Sequence, residues 1–84
     1  MLKLVKVSEG FYKASNIVSD HNAFIDTDML GDFRGTVEIE TENGFDAKES
    51  TGFPTIEEAA RWIECQRVIM TTNFDGSPMI EEAA

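Results

Sequence analysis

Eighty-four residues carrying sixteen Asp and Glu against seven Lys and Arg have a formal net charge of −9. Such a field repels nucleic acid and anionic membrane and attracts basic protein surfaces. A hydrophobic fraction of 42%, with six Phe, one Trp and one Tyr, suits one small core and argues against a wholly disordered acidic tail. The lone Cys65 excludes an internal disulfide and fits a reducing cytoplasm, and no apolar run approaches the ~18 residues of a membrane span.

The charge is concentrated. Residues 1–19 hold Lys3, Lys6 and Lys13 against Glu9, whereas Asp20 to Glu64 holds twelve acids and three bases. Leu2–Val7 reads as a strand, followed by Ser8-Glu9-Gly10 and a second strand at Phe11–Ser15. The pattern is that of a hairpin with a three-residue loop ending in a glycine bulge. Leu2 and Leu4 alternate in the register opposite to Val5 and Val7, so the strand is bulged or both its faces are partly covered. Ser19–Gly35 is the least readable stretch, with a short strand expected around Phe24-Ile25 and a turn at Gly31-Asp32.

Thr36–Thr41 alternates strictly, with Val37 and Ile39 on one face and Glu38 and Glu40 on the other. Asn43-Gly44 marks a turn with two competing registers. A two-residue Asn43-Gly44 loop pairs Glu42 with Phe45 and places Phe45 and Ala47 on the glutamate face. A three-residue Glu42-Asn43-Gly44 loop pairs Thr41 with Phe45, Ile39 with Ala47 and Glu38 with Lys48. Only the second gives one apolar and one charged face, so burial favours it.

Thr55 opens the strongest helix, with Pro54 just outside and Glu58 completing a T-x-x-E capping box. Ile56, Ala59, Ala60, Ile63, Arg67 and Met70 fall on one stripe at helical spacing. Residues 67–72 read equally as a last turn or a closing strand. Asn73–Pro78 is a turn cluster and the rest a loose tail, giving a single domain at 1–72 and a turn with tail at 73–84. The expected fold is α+β: four or five antiparallel strands, in two hairpins, with one helix on the apolar face.

Four features bear on function. Glu38, Glu40 and Glu42 project about 6.6–6.8 Å apart if Glu42 keeps strand geometry, close to two nucleic-acid rises of roughly 3.4 Å, with Asp46 opposite Glu40. The row is either a solvated sheet face or an anionic surface that stands in for phosphates. Asp26, Asp28 and Asp32 with Gly31 imitate the start of a calcium loop, but Leu30 and Val37 occupy positions where ligands are required, so no metal is expected. His21 and Cys65 lack the partners that zinc or nucleophilic chemistry needs. Trp62, at the edge of the helical stripe, either anchors a partner or covers the sheet rim.

The hairpin followed by Gly52-Phe53-Pro54-Thr55-Ile56-Glu57-Glu58-Ala59-Ala60 resembles the plant AP2 domain and the arm-binding domains of tyrosine integrases over about thirty residues. Those modules read DNA with basic and aromatic residues on the sheet, whereas Glu38, Glu40, Glu42 and Asp46 stand here, so DNA binding is not carried over. By size and charge the chain is similar to small phage-encoded inhibitors, anti-CRISPR proteins and DNA mimics, which share no motif from which a residue role transfers. The expectation is a non-enzymatic, cofactor-free binding protein of the cytoplasm (the host's, if phage-encoded). It occupies a basic surface of a nucleic-acid-handling protein through Glu38, Glu40, Glu42, Asp46, Asp26, Asp28, Asp32 and Trp62. It binds neither nucleic acid nor membrane directly. The alternative is a module that self-associates, as a homodimer for example, through the Leu2–Val7 edge or Trp62.

Overall fold

In a computed structural model, residues 2–68 and 79–82 are described. They form an α+β fold with a six-stranded sheet and one helix. The strands are β1 (Lys3–Ser8), β2 (Phe11–Ala14), β3 (His21–Thr27), β4 (Phe33–Thr41), β5 (Gly44–Phe53) and β6 (Met79–Glu82), with α1 (Ile56–Cys65) after β5. Their spatial order is β5-β4-β3-β2-β1-β6. Neighbours from β1 to β5 are antiparallel; β6 lies parallel to β1, with Leu4 opposite Ile80.

The sheet is therefore mixed, and its six strands exceed the four or five expected. The extra strand comes from residues expected as loose tail, which supply the edge partner that β1 would otherwise lack. The Asn73–Pro78 turn and the helix-or-strand question at 69–72 lie outside the described residues.

Alternation sorts the side chains. Leu4, Ala14, Ala23, Ile25 and Val37 are buried on one face, beneath Ala59, Ala60 and Ile63 of α1 and alongside Leu2 and Val68. Leu4, Val5 and Lys6 pair without interruption, so Val5 lies half-buried on the face opposite Leu4, and a bulge between Lys6 and Ser8 leaves Val7 exposed. Gly10, at φ 77°, turns the chain between Ser8 and Phe11.

The helix is capped as its sequence requires: the Thr55 hydroxyl accepts the Glu58 amide at 3.3 Å. It packs across β3, β4 and β5. Trp62 seats on Gly35, where an added Cβ would come within 2.9 Å of the ring, and meets Phe53 at a centroid distance of 6.5 Å. Glycine is thus demanded at 35 by close approach. The helix ends at Cys65, so Arg67 does not continue the buried stripe; it is exposed at φ 60°. Met70 lies outside the described residues.

Candidate functional site

The β4–β5 hairpin decides the surface, and its register is neither of the two expected from sequence. Thr41 pairs with Gly44, Glu40 with Phe45, Ile39 with Asp46, Glu38 with Ala47 and Val37 with Lys48. The loop is the dipeptide Glu42-Asn43, with Gly44 at φ 128° starting β5. Directly paired residues share a face. Gly35 touches Trp62, so Gly35, Val37, Ile39, Asp46 and Lys48 point to the helix side. Thr36, Glu38, Glu40, Phe45, Ala47 and Glu49 point to the other side.

That correction breaks the expected four-carboxylate row. Glu42 is in the turn and leaves the strand geometry, while Asp46 lies on the opposite face from Glu40, so the like-charge pair does not form. Residues 41–49 are all exposed, and burial therefore exerts no pull on their register. What remains of the acidic row on the open face is Glu38 and Glu40 on β4, joined by Glu49 on β5, and Lys13 of β2 and Arg34 of β4 share that face. Phe45 sits among them, directly opposite Glu40 and 64% exposed. Ion pairs among the described residues are Lys6–Glu9 and Arg34–Asp26, so none of these three glutamates is neutralised by a salt bridge.

Asp26 and Asp28 are committed locally, whereas Asp32 enters these contacts through its backbone. Asp26 is in β3 rather than in a loop, and both its oxygens accept from Arg34, at 3.0 Å from Nε and 2.5 Å from Nη2. This fork, with a contribution from the Asp26 charge itself, holds the Arg34 guanidinium above its ordinary pKa. Asp28 Oδ1 accepts the amides of Leu30 (2.9 Å) and Asp32 (3.0 Å), and its Oδ2 accepts the Thr51 hydroxyl at 2.6 Å. Chiefly the Thr51 hydrogen bond keeps the Asp28 carboxyl below its ordinary value, against desolvation, with the Leu30 and Asp32 amides helping.

These bonds fold residues 28–32 into a short pinned loop that holds Met29 and Leu30 out in water, 103% and 88% exposed. Below it, Thr27, Arg34, Glu49 and Thr51 complete an open groove of about 390 Å³. The oxygens of Asp26 and Asp28 are spent on protein donors. Among the described residues no group of three or more His, Cys, Asp or Glu is arranged to hold a metal ion. No described helix is long and apolar enough to cross a membrane.

Trp62 is half-buried against Gly35 and Phe53, which makes it the cover of the sheet rather than a protruding anchor. The edge of β1 is closed by β6, so the proposed self-association strand is internal. Phe45, Glu49 and the Met29-Leu30 pair were not singled out from sequence. A glycine-flanked Phe and an apolar dipeptide between aspartates read equally well as core. Glu64 was also missed: it is buried on α1, and its Oε1 accepts the Leu2 amide at 3.2 Å.

No protein-family model, curated protein or solved structure matches this chain, so no residue role is carried over to it.

Proposed function

We propose that this chain is a small acidic, non-enzymatic binding protein that inhibits its partner by occupying a basic surface. The partner is taken to be a protein that handles nucleic acid, the class in which such surfaces are routine. The observation that carries the reading is the open sheet face. Glu38, Glu40 and Glu49 stand there around an exposed Phe45 and form no salt bridge among the described residues. Carboxylates speed and orient encounter with a cationic surface, and an exposed aromatic supplies the apolar anchor that charge alone lacks. The surface is therefore mixed, not a bare imitation of a phosphate row.

The test is capture from the native cell's lysate at low and high salt, with duplex DNA as competitor. Capture lost at high salt, displaced by duplex, and abolished by changing Glu38, Glu40 and Glu49 together to Gln supports the reading. Screening of exposed charges within about 8–10 Å at physiological ionic strength is what makes salt decisive. Capture that survives the triple change reduces the glutamates to a solvated face.

A further inference from the structure

β5 is an outermost strand of the sheet, and the pairing of β4 sets which of its backbone groups face outward. The Glu40 amide donates to the Asp20 carbonyl at 2.8 Å, so the even-numbered residues of β4 turn their N–H and C=O groups toward β3. The odd-numbered ones turn toward β5. By the observed register, Val37–Lys48 and Ile39–Asp46 are then the hydrogen-bonded pairs of the hairpin. Phe45, Ala47 and Glu49 are left with N–H and C=O directed away from β4, at the outer edge of the sheet. Their side chains all stand on the open face.

We propose that this edge of β5 takes up an extended, basic segment of the partner protein as a seventh strand, an assignment that rests on the acidic binding role above. Charge selects the occupant. Residues 36–53 hold Glu38, Glu40, Glu42, Asp46 and Glu49 against Lys48, five acids to one base, a net −4. A second copy brings another −4 hairpin alongside; a cationic segment brings the opposite sign. Each end of the edge also offers an apolar contact. Phe45 lies at one end, and the groove under Met29 and Leu30 lies at the other, with Glu49 and Thr51 in its wall. Main-chain bonds supply affinity in such an addition, and alternate side chains supply selectivity. Lysine or arginine of the added strand fits beside Glu49, and an apolar residue beside Phe45.

β5 carries few of the devices that discourage pairing: Lys48 in mid-strand, and an irregularity opposite Arg34 near Gly52. Phe45–Glu49 contains no proline and no bulge.

The test uses the full chain and a blocked decamer of alternating lysine and valine, with the alternating glutamate–valine decamer as control. Amide exchange is followed residue by residue. The lysine peptide is expected to slow the amides of Phe45, Ala47 and Glu49 by roughly tenfold or more and to leave Asp46 and Lys48, already bonded to β4, unchanged. The glutamate peptide leaves all five unchanged. Ala47→Pro removes an outward N–H and spares the β4 ladder, so it weakens the lysine peptide by roughly tenfold, the worth of one such bond. A chain with an N-methyl group on the Ala47 amide, made by chemical synthesis, repeats the test if the proline disturbs folding.

Three results overturn the proposal. One is lysine peptide that binds while the three outward amides exchange as fast as before; strand addition then fails and the acidic reading stands. Another is undiminished binding after the Glu38, Glu40 and Glu49 change to Gln, which removes the acidic reading itself. The last is slowing of the same amides by raising protein concentration alone, which puts a second copy on the edge.

Discussion

Two strands of this sheet are finished in opposite ways: β1 is paired on both sides, whereas β5, like β6, is an outermost strand. At one edge β6 closes β1, a strand whose Leu4 is fully buried and whose outward backbone groups lie next to the core. At the other, β5 spans ten residues, most of them exposed, with nothing beside it among the described residues. Water satisfies the backbone of an exposed polar strand at little cost, but an apolar strand near the core needs a protein partner. The comparison teaches that pairing on both sides here follows burial. The strand whose side chains build the core is paired on both sides, and a strand whose side chains stand in water is left outermost.

Substitutions on the two sides should separate these roles. The largest effect is expected from Leu4→Ala, which empties a fully buried position and costs about 2–5 kcal/mol. The matching truncation on the open edge, Phe45→Ala, should stay within about 0.5 kcal/mol because the ring is already in water. Urea denaturation of both variants checks the contrast, and equal losses would abolish it. Next in size is Gly35→Ala. The added methyl meets Trp62 at 2.9 Å, so the helix or the ring must shift, at about 1–3 kcal/mol by the same measurement. Glu64→Ala leaves the Leu2 amide without its acceptor in a buried place and should cost about 1–3 kcal/mol. An unchanged denaturation midpoint for this variant would show that the carboxylate does not tie the helix to the start of β1.

The smallest effect concerns pH. The folded state holds the Asp28 carboxyl below its ordinary value, so folding favours the ionised form. That contribution is complete above the unfolded value of about 3.9 and fades as the pH falls through the lower folded value. Thr51→Val removes the main cause, the hydroxyl at 2.6 Å. Melting temperatures taken between about pH 5 and about pH 2 should therefore fall slightly less steeply for the variant than for the natural chain. Parallel curves would show that Asp28 is not held by Thr51 in solution.

Local signals in the sequence were strong where local physics decides. Thr55 and Glu58 bracket the helix start because capping is a short-range bond, and Thr36–Thr41 shows its strand through alternation. The register of the hairpin was not legible. Its selection assumed that Phe45 and Ala47 seek burial, yet both are exposed and Gly44 governs the turn. β6 escaped because Met79–Glu82 has two acids, no alternation, and pairs with a strand more than seventy residues away. Of the candidate site, Glu38 and Glu40 were readable from their spacing. Glu42, Asp46, Asp26, Asp28 and Trp62 were displaced from the expected roles by the turn, the pairing, Arg34, Thr51 and Gly35 respectively.

Native-state hydrogen exchange on the isolated chain compares β1 and β5 most directly. The Lys3 carbonyl accepts the Ser15 amide at 2.9 Å, so Leu4 and Lys6 turn their backbone toward β6. Their amides are expected to exchange slowly, while those of Phe45, Ala47 and Glu49 exchange near the rate of an open chain. Comparable protection of both sets in dilute solution would contradict an account in which β1 is paired on both sides and β5 on one.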